Sequence, residues 1–462
     1  MQSQVVRAGP TRSRRRSRCK LEDGARIGVV GGGPAGSFFS IFALDMAARV
    51  GLRLSVDVFE HRDFSLRGPR GCNMCGGIVS ESLVEDLAAE GISLPPAVIQ
   101  RGIDSYVLHT DVGEVRIGTP MSEKRIAAVH RGLGPLSSEG SPYASFDAFL
   151  LGEAERRGAH VVRRRIERVN REDGLPALDA GDGVKLRYDL VVIACGVNGA
   201  AARLLDGLGL DGAAVRTTKA LIREYFVGRP VIRKSLGDSM HVFLLNIPRL
   251  EFAALIPKGE YVSLCMLGNE IDQPLLDSFL AAREVTSCMP AGWQSDEQTC
   301  RCAPRMNVGW RGRPYGERVL LVGDAGVARL YKDGIGSAYR TAKAAACAAV
   351  LEGVSKADFR LRYWPACRAI ARDNALGRVV FLVVRQFQTW RFARRALVSL
   401  IAREQRSNGR PARMSLVLWN TFTGSAPYRE IVLQALRPGL LARLAVEMAG
   451  AAIGRARTTA DA

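Results

Sequence analysis

The chain has 462 residues, 47% of them hydrophobic, with a formal charge of +19. That length predicts two or three domains, and the apolar share excludes global disorder. The charge is uneven: residues 1–26 carry +6 and residues 356–462 carry +13, which leaves a neutral body between two basic ends.

Residues 1–26 read as a basic, disordered tail. Arg14-Arg15-Arg16 ahead of an apolar stretch imitates a twin-arginine export signal, and an organelle transit peptide is another reading. The apolar stretch is better assigned to the unit that follows. With no secretory leader recognised, the ten cysteines do not read as a disulfide scaffold, and a cytoplasmic chain is expected. No run of eighteen uncharged apolar residues occurs, so no spanning helix is predicted.

Arg26-Ile27-Gly28-Val29-Val30 reads as a short buried strand entering Gly31-Gly32-Gly33-Pro34-Ala35-Gly36, a G-x-G-x-x-G. Residues 37–50 have helical periodicity, and a second strand from Leu54 to Phe59 ends in Glu60. Gly31 permits a tight turn, Gly33 lets the backbone approach a pyrophosphate, and Gly36 lets helix and strand pack closely. The helix start, with Pro34 and Ala35, faces the phosphate charge, and Glu60 can accept from a ribose. Alone the glycines are a weak signal; in the order strand, glycines, helix, strand, acid they specify dinucleotide binding.

Two later strands end in small-residue turns. One runs over residues 187–196 into Gly196, the other over residues 318–326 into Gly323-Asp324. After the second, Asp333-Gly334-Ile335-Gly336 opens an Ala-rich helix. An Asp beside a glycine turn suits a ribose or ribitol hydroxyl. A second helix N-terminus can stabilise negative charge on a reduced flavin.

This order resembles the flavoproteins with the p-hydroxybenzoate hydroxylase fold, and within them the geranylgeranyl reductase-like branch, over residues 27–353. Three segments point to the branch: Arg70-Gly71-Cys72-Asn73-Met74-Cys75-Gly76-Gly77, then Pro257-Lys258-Gly259 between two strands, then Gly323-Asp324 with its Gly-Ile-Gly helix start. The resemblance implies FAD as cofactor and contacts to it from Arg131 and the Phe146-Asp147 pair. It also implies a position near the flavin ring for Cys75, which is nominated for catalysis. No second glycine fingerprint marks a nicotinamide domain, so the electron donor stays open between NADPH and ferredoxin, with a quinol as a further option.

Cys72 with Cys75 and Cys300 with Cys302 could in principle give a metal site or a redox dithiol, but the pairs are far apart and no metal is expected. Cys195, Cys265, Cys347 and Cys367 read as core residues. The five histidines form no ligand-spaced set.

Strands are predicted over residues 221–227, 241–245, 251–256 and 261–266, forming an antiparallel sheet. Phe226, Phe243, Leu245, Phe252 and Leu255 would face inward, lining an apolar substrate cavity or packing a core. From Lys356 onward, apolar and aromatic residues alternate with arginines, among them Arg385, Arg391, Arg394 and Arg395. Basic amphipathic helices fit an anionic membrane surface; a helical cap on the flavin unit is the other reading. No nucleic-acid signature accompanies the charge.

The expected fold is α/β: a Rossmann-like FAD-binding domain (residues 27–200 and 305–355), an antiparallel-sheet substrate domain (201–304) and a C-terminal helical region (356–462). The expected activity is reduction of C=C bonds in a prenyl or isoprenoid lipid, by a protein peripheral on the inner face of the membrane. A flavin monooxygenase and a non-catalytic membrane flavoprotein are the alternatives.

Overall fold

The structure is a computed structural model, described here for residues 19–120, 126–136, 143–198, 204, 208, 210, 214–290, 300–407 and 412–460. Most of the expected basic tail lies outside the described residues.

The first layer is a six-stranded sheet in the order Tyr315–Gly316, Val319–Leu321, Leu190–Ile193, β1 (Ala25–Val30), β2 (Leu54–Phe59), Ala159–Val162. All its pairs are parallel except the Tyr315–Gly316 edge. Successive strand residues point to opposite faces. Ile27, Val29, Val56 and Val58 accordingly enter one core with α1 (Pro34–Arg49), the Phe146–Arg156 helix and the Gly334–Cys347 helix. Val30, Phe59, Val191 and Ile193 enter another, under Leu178 and Tyr188. Pro34 occupies the first turn of α1, where its missing N–H costs nothing. Strand order reverses at β1, so the carboxyl ends of β1 and its neighbours open a crevice, the place where such sheets bind ligands.

The second layer is a seven-stranded sheet in the order Cys300–Cys302, Leu221–Phe226, Tyr261–Gly268, Leu250–Lys258, Ser239–Phe243, Ser105–Thr110, Gly113–Gly118. The four predicted strands are present and antiparallel, as expected. Two further strands come from the first half of the chain, joined by a parallel pairing of Ser239–Phe243 with Ser105–Thr110. The sheet therefore draws on both sides of residue 200.

One face of this sheet, with Phe243, Leu255 and Leu264, packs on the Gln273–Leu280 and Arg283–Thr286 helices. The other face, with Ile222, Phe252 and Ile256, shares a core with Phe381, Leu397, Trp419 and Phe422 of the C-terminal helices. Of the arginines read as membrane-facing, Arg394 is buried against Asp111 and the Gln388 carbonyl, while Arg385 pairs with Glu251 from a half-exposed position. No helix among the described residues is long and apolar enough to cross a membrane.

Candidate functional site

The phosphate loop is held by contacts that only glycine permits at two positions. Gly31 has φ +108°, and a Cβ there would lie 2.7 Å from the Ala194 carbonyl; a Cβ on Gly36 would lie 1.9 Å from the Gly31 carbonyl. Gly33 differs: its backbone is extended in sign and a Cβ would approach only Asn73 Nδ2, at 3.2 Å. It is the N-cap of α1, and among the described residues no side chain caps the first N–H groups of the helix, which are left for a ligand at the crevice. Glu60 is buried, accepting from the Gly32 N–H at 2.9 Å and the Arg62 N–H at 2.9 Å. Its carboxylate thus braces the loop itself and keeps lone pairs for a ribose.

Around this loop the fold assembles residues distant in sequence. Arg131 is buried and bridges to Asp147 through Nε and through Nη2, the latter 2.9 Å from Oδ2. Burial alone would lower the guanidinium pKa, and the Asp147 charge beside it overrides that and raises it. Asn73 donates to the same Asp147 carboxylate and accepts from Arg62 at 2.9 Å. Asn73 therefore ties the Cys72–Cys75 loop to Asp147 and, through Arg62, to the Glu60 that braces the phosphate loop, a role that its sequence context does not signal.

Gly323, at φ +60°, sits against Ala35, and no protein donor among the described residues bonds the Asp324 carboxylate. Burial pushes Asp324 up to about 6, with Arg131 opposing. Gly196, at φ +66°, closes the turn after the Leu190–Ile193 strand. The Gly334–Cys347 helix start is less open than expected. Its N-cap Asp333 accepts from the Gly336 N–H at 3.1 Å and pairs with Arg329 and Arg340. This leaves the N–H groups of Gly334 and Ile335 for a ligand, while the Ile335 side chain is core.

The free helix N-terminus of α1, the unpartnered Asp324 and the ribose-ready Glu60 fit FAD. Ionised Asp324 is the form that accepts from a hydroxyl. FAD affinity is therefore expected to fall about tenfold between pH 7 and pH 5, as the carboxylate protonates through about 6. The sign for the chain without ligand is opposite: a raised carboxyl pKa contributes stability that is present at low pH and lost as pH rises through about 6. Fluorescence titration of wild type and Asp324→Asn with FAD checks this; the variant should bind more weakly at pH 7 and lose the dependence.

Beside the cradle lies a cleft lined by Cys72, Cys75, His130, Glu224, Lys258 and Cys302. Lys258 is buried with Nζ 3.4 Å from Glu224 Oε1, and Ser263 donates to Glu224 Oε2 at 2.6 Å. Gly77, at φ +66°, lets the Cys75-Gly76-Gly77 turn lie on the sheet: a Cβ there would sit 2.0 Å from the Val129 carbonyl and 3.0 Å from Lys258 Nζ. His130 Nε2 is buried without a hydrogen-bond partner, and burial lowers this imidazole to about 4, against the pull of Glu224. The cleft thus holds a charged pair and a neutral imidazole next to Cys75.

Of the two readings of the apolar strand residues, cavity lining or core, the structure shows core for four of the five. Phe226 is 57% exposed, Phe243, Leu245 and Leu255 pack under the sheet's helices, and Phe252 packs on the C-terminal helices. All but Phe226 are core, because the sheet is covered on both faces. The cysteines of the two pairs do line one cleft, with Cys300 beside Cys302. They do not converge as a ligand set among the described residues, and no disulfide links them. Burial pushes Cys302 up to about 12 and raises Cys72, which disfavours thiolates. Cys195, Cys265 and Cys367 are likewise pushed up to about 12 by burial, as core residues are. Glu224 and His130 escaped sequence reasoning, and Lys258 was quoted in a motif without a role. The signal for Lys258 was available: a lysine ending the apolar run over residues 252–257 of a nine-residue strand.

No protein-family model and no curated protein matches the chain. Solved structures do. The halogenase PltM in complex with FAD is similar with a TM-score of 0.59 at 13% identity, over 94% of this chain and 93% of that one. The p-nitrophenol 4-monooxygenase PnpA from Pseudomonas putida DLL-E4 has a TM-score of 0.54 at 12% identity, over 88% of this chain and 100% of that one. The peptidyl tryptophan dihydroxylase QhpG, essential for tryptophylquinone cofactor biogenesis, has a TM-score of 0.53 at 18% identity, over 79% of this chain and 76% of that one. The chain has the α/β fold of these proteins: a Rossmann-like sheet, a second sheet beside it and a C-terminal helical region.

Proposed function

We propose that the chain is an FAD-dependent oxidoreductase that reduces a C=C bond of a prenyl-type lipid. The observation that carries the reading is the buried Lys258–Glu224 pair, set beside Cys75 and next to a dinucleotide cradle. Reduced FAD, when bound, supplies a hydride to one alkene carbon. Lys258 Nζ delivers the proton to the other carbon, and Glu224, held by Ser263, keeps the ammonium in place. Arg131, Asn73 and Asp147 order the loop that carries Cys75, which covers the reacting atoms and excludes water. The electrons entering FAD come from NADPH or ferredoxin.

A second reading, oxygenation of the substrate, is favoured by the monooxygenase and dihydroxylase names of the structural neighbours. An anaerobic experiment separates the two. Protein with FAD is bleached with one equivalent of dithionite and mixed with geranylgeranyl diphosphate or a geranylgeranyl lipid. Return of the oxidised flavin spectrum without oxygen, with a product two mass units heavier, supports reduction. A bleached spectrum that recovers only in air, with oxygen in the product, supports the second reading. A chain that binds no FAD sinks both.

We further propose that the substrate is met at an anionic membrane surface. Val379, Leu382, Val383 and Trp390 are 46–59% exposed along the Trp364–Thr389 helix and its end, beside exposed Arg378, Arg391 and Arg395. The net +13 of residues 356–462 supplies the electrostatic attraction. Co-sedimentation with vesicles containing phosphatidylglycerol is expected, weakened by salt and reduced at least about tenfold in the Val379→Asp/Leu382→Asp/Val383→Asp variant. Equal binding by the variant, or by neutral vesicles, counts against this face.

A further inference from the structure

On the face of the second sheet opposite the C-terminal helices, three chemistry-bearing side chains meet that play no part in the cleft. His109 lies on the Ser105–Thr110 strand and His241 on the neighbouring Ser239–Phe243 strand; Cys288 follows the Arg283–Thr286 helix that packs above them. All three are buried. His109 Nε2 and His241 Nδ1 are 2.8 Å apart, and Cys288 Sγ is 3.6 Å from each. Among the described residues no other trio of His, Cys, Asp and Glu ligand atoms converges in this way.

The remaining atoms of each ring are already used. His109 Nδ1 is 3.0 Å from the Glu114 carboxylate, and His241 Nε2 is 3.3 Å from the Leu236 carbonyl. Each of those acceptors requires a ring N–H. The contact between the two rings requires a third proton, because their planes are only 20° apart and the two nitrogens face each other edge to edge. Two neutral imidazoles carry two ring protons between them. The thiol proton cannot make up the difference, since a donor at Sγ leaves two lone pairs opposed at 2.8 Å. A cation satisfies both ring lone pairs, and Cys288, whose thiol lies 3.3 Å from the Glu284 carbonyl, becomes its third ligand on losing the proton.

We propose that His109, His241 and Cys288 form a zinc-binding site that clamps the Arg283–Thr286 turn onto the sheet. A triangle with sides of 2.8, 3.6 and 3.6 Å has a circumcentre roughly 2.0 Å from each corner, in the range of Zn–N bonds and slightly short for Zn–S. Tilting the two rings until their nitrogens are ~3.3 Å apart gives the edge of a tetrahedron. Glu114 and the Leu236 carbonyl then play the usual part of outer partners, fixing His109 as an Nε2 ligand and His241 as an Nδ1 ligand. Zinc binding displaces the Cys288 proton to solvent, and water fills the fourth position on the side of exposed Glu114.

The test uses the full chain, purified without chelator or histidine tag, incubated with zinc sulfate and desalted. One zinc per chain is expected by plasma mass spectrometry. Zinc K-edge absorption should show one sulfur at ~2.3 Å and two imidazole nitrogens at ~2.0 Å. Glu114→Gln should weaken zinc binding about tenfold. The His109→Gln/His241→Gln/Cys288→Ser variant should retain less than about a tenth of the zinc while its FAD content is unchanged. No retained zinc in the wild type, a shell without sulfur, or equal retention by the triple variant overturns the proposal. Should the triple variant fail to fold, the absorption shell of the wild type decides.

Discussion

Gly33→Ala is expected to give a folded protein without flavin. A methyl group at this position meets only Asn73 Nδ2 at 3.2 Å, and the backbone conformation suits alanine, so the melting temperature should move by no more than a few degrees. The same methyl projects where a pyrophosphate approaches the uncapped start of α1. FAD affinity should drop at least about 100-fold, close to 2.7 kcal/mol. The neighbouring glycine gives the contrast. A Cβ on Gly36 would sit 1.9 Å from the Gly31 carbonyl, so Gly36→Ala must move backbone and should cost about 3 kcal/mol or more of folding stability. Thermal melts and flavin absorbance on the two variants separate a ligand-facing glycine from a packing one. Normal FAD content in Gly33→Ala would place the dinucleotide elsewhere.

Lys258→Met is the second large effect. The side chain is 1% exposed and its ammonium is the only one that lines the cleft beside Cys75 among the described residues. Removing the proton donor should lower kcat about 10²–10⁴-fold while FAD binds as in the wild type. The substitution also strands the Glu224 carboxylate, which among the described residues keeps only the Ser263 hydroxyl. Breaking one half of a buried pair destabilises by about 3–5 kcal/mol, so Lys258→Met/Glu224→Gln is the better-folded companion. The double variant should be as inactive as the single one but more stable. Turnover within threefold of wild type in either would show that the proton comes from another group. His130, with its unpartnered Nε2 in the same cleft, would then be the next to test.

The dinucleotide half was legible because its determinants are contiguous. Strand, glycine turn, helix, strand and acid lie within Ala25 to Glu60, and each needs only its own neighbours to adopt its conformation. Gly31, Gly36, Gly196 and Gly323 all occupy positions where a side chain would be strained or blocked, as a residue-type pattern can reveal. Cys75 and Lys258 were both quoted in motifs, yet only their meeting in one cleft gives Lys258 a role. The helix start at Gly334 was legible as a turn, but not the Asp333 cap that takes one of its N–H groups.

The sequence by itself determined the elements: the parallel nucleotide-binding sheet, the antiparallel strands after residue 220, and a basic helical end. Periodicity and glycine placement are local properties, and they suffice for that. Only the tertiary structure decided which faces those elements bury. Phe243 and Leu255 point away from the cleft because helices cover that side of the sheet, and Phe252 is claimed by Phe381 and Phe422 of the C-terminal helices. Arg394, indistinguishable in sequence from its solvent-facing neighbours, is buried against Asp111, while Arg385 reaches Glu251 from a half-exposed position. The gathering of His109, His241 and Cys288 spans separations of 132 and 47 residues. No spacing rule reaches that far. It takes the parallel pairing of two strands and a helix folded over them to bring the three side chains to one point.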